Sequence, residues 1–316
     1  MNTSIAREFL TLCFAPDDTI AVLLRRESPA STTQRIVALE KVLASRYLAW
    51  LAHENANGAN LYVAANPLRS GSQKRTKESI AEIRHLYIDI DIDGEARVAA
   101  LRASNEVPTP TTIVATSQGK YQVLWRVEGF DFADQEQTLK RLTVAFGGDP
   151  ACTDCNRVIR VPGFHNRKYE PAHPVTVEYP SDSIYSPADF QLDDLIPDTM
   201  LPLRRVALSF QARKHTHSEQ DWAWVLFELT SGKDAAQLTQ ALAVRRADKP
   251  NPLYYAQRTV DMASARLALL AGSGIPDVIA TLEARRIAEL PAALCSARAR
   301  EIAHTAGRMI ARKQIA

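Results

Sequence analysis

Between His85 and Gly94 the chain reads His-Leu-Tyr-Ile-Asp-Ile-Asp-Ile-Asp-Gly, an apolar, β-branched run with a carboxylate at every second position. Successive side chains on a strand point to opposite faces. A strand here sets Asp89, Asp91 and Asp93 on one face and Ile88, Ile90 and Ile92 on the other. Like charges ranked along one face repel, and a divalent cation that prefers carboxylate oxygen, Mg²⁺ or Mn²⁺, relieves the cost. The plainer alternative is a strand end that frays into an acidic, solvated turn. An EF-hand calcium loop is excluded: Asp-x-Asp-x-Asp-Gly then requires a Glu at the twelfth position, and counting from Asp89 that residue is Ala100.

Two other clusters carry the opposite charge. In Thr116-Ser117-Gln118-Gly119-Lys120-Tyr121-Gln122, a hydroxyl, a glycine turn and a lysine can offer N–H groups and a cation to phosphate oxygens. The same spelling also suits an ordinary exposed turn. Further on, Gly148-Asp149-Pro150 is followed by Asp154, Asn156, Arg157, Arg160 and then Pro162-Gly163-Phe164-His165-Asn166-Arg167-Lys168. Arg157 and Arg160 are interleaved with Val158, Ile159 and Val161, which places them at the start of a strand; Arg167 and Lys168 suit a solvated loop. Ahead of the acidic strand lie Arg69, Lys74, Arg75 and Lys77. Acids to hold ions and cations to hold phosphates are what a metal-bound polyphosphate requires. Cys152-x-x-Cys155, with His165 and His173 as loose companions, is a poor zinc set, because such sites need a second tight pair. Buried free thiols and no zinc are the expectation.

The elements that must position these groups fall into two textures. Thr3–Phe14 reads as a helix and Ile20–Leu24 as a short strand. Thr32–His53 reads as a long helix, with Ile36, Leu39, Val42, Leu43, Tyr47 and Leu51 at helical spacing. Strands follow at Leu61–Ala65, Thr112–Thr116, Tyr121–Val127, Arg157–Val161 and Val175–Tyr179, with helices from Gly94 to about Ala103 and over Gln135–Phe146, the latter stopped by Gly147-Gly148. Hairpins without a regular βαβ rhythm point to an α+β class with a mixed or antiparallel sheet. From Ser218 onward the pattern is wholly helical, about five helices forming a small bundle after a basic connector at Leu201–His217. The expected domains are residues 1–205 and 206–316.

The 316 residues are 46% hydrophobic and 23% charged, as in a soluble globular protein. With 38 Lys and Arg against 36 Asp and Glu the net charge is +2, so any nucleic-acid site is local and no global positive field exists. No apolar stretch is long enough to span a membrane and no signal peptide begins the chain, so a cytoplasmic protein without a membrane partner is expected. Four cysteines agree with a reducing compartment.

In order, Ile-Asp-Ile-Asp, Thr-Ser-x-Gly-Lys-Tyr-Gln-x-x-Trp and Gly-Gly-Asp-Pro…Asp…Arg-x-x-Arg-x-Pro-Gly-Phe-x-Asn-Arg-Lys resemble the archaeo-eukaryotic primase superfamily, in particular the RepB-type primases of plasmids and mobile elements. The resemblance covers about Leu61 to Tyr179. The tail, with Asp221-Trp222-Ala223 and Asp248-Lys249-Pro250-Asn251-Pro252…Tyr255…Arg258, is similar to the helix bundle attached to such primases.

The resemblance implies an RNA-recognition-like catalytic core that synthesises primers de novo on single-stranded DNA from nucleoside triphosphates. It implies two Mg²⁺ or Mn²⁺ ions held by Asp89, Asp91 and Asp149. Ser117, Lys120 and Gln122 match its nucleotide-phosphate motif, where many members carry a histidine in place of Gln122. Arg75, Arg157, Arg160, Asn166 and Lys168 are expected to contact triphosphate or template, Asp93 to be a turn residue or to sit just behind the metal ligands, and Asp154 not to be a metal ligand. The helical domain is expected to hold template through a basic last helix (Arg298, Arg300, Arg308, Arg312, Lys313) or to dock a replicative helicase. Trp222, Trp224, Tyr254 and Tyr255 are expected in its core. An inactive replication-initiation protein and a metal-dependent nuclease are the other classes compatible with the same residues.

Overall fold

The acidic segment is a strand only as far as Ile90. In the computed structural model, which describes residues 1–192, 216–285 and 292–314, β4 spans His85–Ile90. Asp91 follows its end, and Asp93 adopts a left-handed turn (φ +50°) at the N-cap of helix α4, Gly94–Ala103. The three-carboxylate face expected for a longer strand is therefore cut short, and Asp93 leaves it by turning.

β4 lies at the edge of a four-stranded antiparallel sheet with β5 (Thr112–Ser117), β6 (Lys120–Arg126) and β10 (Thr176–Glu178), in the order β10-β5-β6-β4. Both β4 and β5 run antiparallel to β6, so they are parallel to each other with β6 inserted between them. Helix α4 makes the crossover, and α5 (Phe132–Phe146) follows β6 and packs on β4. This β-α-β-β-α succession is the split βαβ arrangement expected of an RNA-recognition-like core, and β10 extends the sheet beside β5. α5 starts at Asp131, whose side chain accepts from Asp134 N (2.7 Å), and stops at Gly147 in the left-handed conformation (φ +71°).

A second antiparallel sheet, β2-β1-β3-β7, is built from β1 (Thr19–Glu27), β2 (Ala30–Ala38), β3 (Asn60–Ala64) and β7 (Val158–Arg160). Here the expectation of one helix over Thr32–His53 is corrected. Thr32, Thr33, Ile36 and Val37 are β-branched and pair with β1 as a hairpin, and helices begin only at Leu39, as α2 (Leu39–Leu43) and α3 (Ser45–Ala56). A two-stranded ladder, β8 (His165–Asn166) with β9 (His173–Pro174), and the N-terminal α1 (Thr3–Cys13) complete this part. One continuous core, including Trp125, Tyr87, Phe9 and Phe164, lies beneath both sheets. The Trp125 indole N–H is satisfied by the Pro108 carbonyl at 2.7 Å.

The chain divides into two compact units, Met1–Ile196 and Pro197–Ala316. The expected boundary near 205 lies outside the described residues. In the second unit the described helices are α6 (His217–Thr230), α7 (Ala235–Arg245), α8 (Pro252–Leu270), α9 (Ile275–Ala284) and α10 (Ala292–Gln314). Their starts follow sequence signals: a Thr216–Glu219 capping box, Asp234 as N-cap, and Asn251 as N-cap before Pro252. The buried Asp221 carboxylate accepts from Arg246 (3.1 Å) and the Tyr255 hydroxyl (2.8 Å), tying α6 to α8. Of the aromatics expected in the core, Trp224 is buried and Trp222 and Tyr255 are half-buried. Tyr254 is instead exposed, with the Arg298 guanidinium 4.6 Å above its ring. No described helix is long and apolar enough to cross a membrane.

Candidate active site

Asp89 and Gln122 are direct cross-strand partners, so their side chains share one face of the β4–β6 pair. Lys120, two residues earlier on β6, shares that face. Ser117 reaches it through a β-bulge: the register shifts between Ala115 and Ser117, which sets Ser117 opposite Lys120. The two-residue turn Gln118-Gly119 closes this hairpin with Gly119 at φ +67°, a conformation glycine adopts without strain.

The third acid arrives through the glycine stop of α5. Gly148 lies so close to β4 that a Cβ there would meet Ile88 Cγ2 at 2.2 Å and the Asp89 carbonyl at 3.3 Å. That close approach lets the Asp149 N–H donate to the Asp89 carbonyl at 2.8 Å. Asp149 is held in turn by the Ala151 N–H, which donates to its Oδ1 at 2.9 Å. Asp91 is exposed at the strand end and takes a charge-assisted bond from Lys120 Nζ at 2.9 Å. The crowding registers on Asp89: burial, and then the Asp91 and Asp149 carboxylates, push its carboxyl up to about 7, with Gln122 and Lys120 offsetting part of the effect. Burial lowers the affinity of Lys120 for its proton, but the Asp91 bond together with the charges of Asp91, Tyr169 and Asp89 outweighs this and holds the ammonium above its ordinary range.

Among the described residues no three His, Cys, Asp or Glu side chains already stand as a finished coordination cluster. The donor chemistry nonetheless fits a hard divalent cation. Asp89, Asp91 and Asp149 offer only carboxylate oxygen, and the repulsion that lifts Asp89 is the kind a cation removes. Cys152 is an addition that sequence reasoning missed. Its thiol lies 3.5 Å from Asp149 Oδ2 and 3.9 Å from Asp89 Oδ2, and burial with those two acids pushes its ionisation far up. It is a free half-buried thiol, and Cys155 is a free buried one.

The expected phosphate- and template-contacting residues separate into two kinds. Gln122 and Asn166 are committed to the scaffold. Gln122 Oε1 accepts the Arg160 N–H at 2.8 Å, and its amide nitrogen lies 3.5 Å from both Asp89 Oδ2 and the Val158 carbonyl, so it links the two sheets. The buried Asn166 donates to the Thr116 carbonyl (2.9 Å) and accepts from the Lys168 N–H (3.2 Å). The cations are braced but retain donors. Arg160 is buried against Asn60 Oδ1 (2.7 Å), with its guanidinium 4.6 Å over the Tyr62 ring. Arg157 pairs with Asp154 (3.1 Å) and the Ala151 carbonyl, and Arg75 binds the Asn156 backbone and side chain. The Nε atoms of Arg75 and Arg157 and the Ser117 hydroxyl are buried without an acceptor. Lys168 is exposed. Asn60 and Tyr62 are bracing residues that no local motif announces, since each acts across 80 or more residues. Asp154 faces Arg157, not the other acids.

Residues 27–178 match the RepB DNA-primase N-terminal domain. This segment belongs to that primase family. The archaeo-eukaryotic primase-type domain of a cyanophage S-2L primase-polymerase resembles the chain at 16% identity, over 62% of this chain and 98% of its own, with a TM-score of 0.49. A solved primase RepB′ is 17% identical over 97% of this chain and 99% of its own (TM-score 0.43). The catalytic domain of RepB′, solved in complex with initiator DNA, is 20% identical over 65% and 94% (TM-score 0.42). No curated protein matches the chain. The matched segment, just under half of the chain, covers the acidic strand, the Ser117–Lys120 hairpin and Asp149, and it supports a primase role of nucleotidyltransferase type for that segment.

Proposed function

We propose that the protein is a DNA-dependent primase that joins nucleoside triphosphates de novo on single-stranded DNA, serving replication of a plasmid, phage or related mobile element. The observation that carries this reading is the crowding of Asp91 and Asp149 around Asp89, beside Lys120 and the unpartnered Ser117 hydroxyl, inside a RepB-type domain. Asp89, Asp91 and Asp149 would hold Mg²⁺ or Mn²⁺. Such ions, when bound, activate an attacking 3′-hydroxyl and neutralise a leaving pyrophosphate.

The protein's own contribution is positional and electrostatic, as phosphoryl transfer requires no protein nucleophile. Asp89 must be unprotonated to take part, and with its carboxyl near 7 that demand falls within the neutral range. Lys120, parked on Asp91 when no substrate is present, is released toward a triphosphate oxygen when Asp91 is engaged elsewhere. The Ser117 O–H donates to the same group from the bulge. Arg75 and Arg157, braced by Asn156 and Asp154, present their remaining donors to triphosphate or template phosphates. Gln122 and Asn166 hold β7 and the 165–168 segment in place for these contacts.

In the second unit, Arg300 and Arg308 are exposed on α10 and suit template phosphates, whereas Arg298 is turned onto Tyr254. The side chains of Arg312 and Lys313 lie outside the described set. Docking of a helicase is the other role for this unit. The deciding experiment incubates the full chain with labelled nucleoside triphosphates, single-stranded DNA and Mg²⁺ or Mn²⁺. Short products absent from Asp89→Ala and Asp91→Ala support the proposal; wild-type synthesis by both variants overturns it.

A further inference from the structure

At the other end of the same strand pair lies a cavity of about 420 Å³ that the chemistry above does not use. Its volume lies within the range of small-molecule sites. His85 and Arg126 are cross-strand partners, as Asp89 and Gln122 are, four residues further along each strand. Side chains four apart on a strand share a face, so the cavity opens on the catalytic face, about 13 Å away at about 3.3 Å per residue.

Arg126 lines this cavity and is unmatched. Two half-buried arginines near this end of the unit have acids: Arg26 has Glu54, and Arg84 has Asp18 and Glu82. Arg126 has no ion-pair partner among the described residues, and its Nε is buried without an acceptor. Tyr179, which also lines the cavity, is in the same condition, its hydroxyl buried and unpartnered. Burial pushes that phenol well above its ordinary range, so the O–H remains a donor. His85 adds no charge. Its Nδ1 bonds the Ala65 carbonyl at 2.6 Å, and burial drives its pKa down to about 4. Two of the residues that line the cavity thus carry orphan donors, one on a guanidinium, which call for an anionic acceptor, and guanidinium meets phosphate with two parallel bonds. The cavity's single acid, Asp182, is exposed and can accept from a sugar hydroxyl or a base amino group.

We propose that this cavity is a second nucleotide site, which binds a nucleoside 5′-monophosphate unit with its phosphate on Arg126 and Tyr179. The unit is either a free nucleotide or the 5′-terminal residue of a strand. Lying on β4 and β6, it would couple the occupancy of this cavity to the strands that carry Asp89 and Lys120.

The test is calorimetric titration of the full chain in EDTA with three probes: deoxyadenosine 5′-monophosphate, a 5′-phosphorylated tetranucleotide and the same tetranucleotide without its phosphate. Wild type is expected to bind a phosphorylated probe saturably, with at least tenfold loss in Arg126→Met and retention in Lys120→Met, which alters the catalytic site and does not line this cavity. Tyr179→Phe, which removes one hydroxyl and keeps the ring, is expected to weaken binding several-fold and decides the matter if Arg126→Met does not fold. Preference for the mononucleotide identifies a free nucleotide, and preference for the phosphorylated strand identifies a 5′ end. Equal binding of the unphosphorylated strand, unchanged binding by Arg126→Met or, if that variant does not fold, by Tyr179→Phe, or no binding of any probe overturns the proposal.

Discussion

Asp89→Asn should make the metal-free protein more stable while removing its function. In the fold, a carboxyl that ordinarily titrates near 4 is pushed up to about 7 by burial and by Asp91 and Asp149. Holding it ionised therefore costs up to about 4 kcal/mol. Asp89 is only partly enclosed, so solvent screening reduces the penalty and a net effect of about 1–3 kcal/mol is expected. The sign follows from linkage. Between pH about 4 and about 7 the unfolded chain has released the proton while the folded protein keeps it, so the stability of wild type falls as pH rises through that window and is level above it. Asparagine keeps the shape and cannot ionise, so the variant escapes this loss. At pH 8, thermal unfolding in EDTA should show the first unit of Asp89→Asn melting roughly 3–10 °C above wild type, at about 2–4 °C per kcal/mol for a unit of this size. At pH 5 the gap should shrink to about a third, because most of the penalty has been relieved. Added Mn²⁺ should reverse the order by stabilising wild type alone. A variant less stable than wild type at pH 8, or a gap that ignores pH, would refute the claim that three acids are crowded here.

Asp91→Ala and Asp149→Ala should each abolish primer synthesis with the fold intact by circular dichroism. Asp154→Ala, which loosens Arg157, should lower synthesis by tenfold or less; a larger loss there than at Asp149 would mean the wrong acid has been chosen. Ser117→Ala should leave stability within about 0.5 kcal/mol of wild type or raise it, because the lost hydroxyl has no partner to strand, while nucleotide KM rises several-fold. Gln122→Ala should cost about 1–3 kcal/mol by denaturant titration, since it strands the Arg160 N–H between two sheets. Residues 1–196 alone should extend an annealed primer but initiate poorly, because initiation must hold template and first nucleotide without a duplex; unimpaired initiation would assign the helical unit another role.

How much of this was legible in the sequence depended on range. The antiparallel strands, the glycine stop after Phe146 and the five helices of the second unit follow from signals a few residues long, and the structure contains all of them. Thr32–His53 misled because Ile36, Leu39, Val42 and Leu43 satisfy a helical period by accident of a junction. The strand residues Ile36 and Val37 abut a helix that begins at Leu39, and only pairing with β1 reveals the break. Asp93 was left between a turn and a place just behind the metal ligands, and the structure has it in the turn; where the strand ends was not recoverable from an alternation that Ile92 continues.

The site itself depends on contacts that no window of sequence contains. Asp149 was legible as an acid, yet what sets it beside Asp89 is a backbone bond that becomes possible only because Gly148 has no side chain to collide with Ile88. Ser117 was legible as part of a hydroxyl-glycine-lysine turn, but without the bulge after Ala115 its alternation would put it on the opposite face from Lys120. Gln122 looked like a substitute for a phosphate-binding histidine because spacing reports position and says nothing of what a side chain is already bonded to. Its carbonyl is spent on Arg160. A motif thus fixes which chemistry a chain can attempt, while the small residues beside it, a glycine and a one-residue bulge here, decide whether the groups meet. It follows that Gly148→Ala, which touches no substrate, should impair synthesis as severely as loss of Asp149, by forcing the 147–152 turn away from β4. Restoration by a compensating Ile88→Ala, which vacates the space a Cβ needs, would show that distance to Asp89 is what the glycine protects.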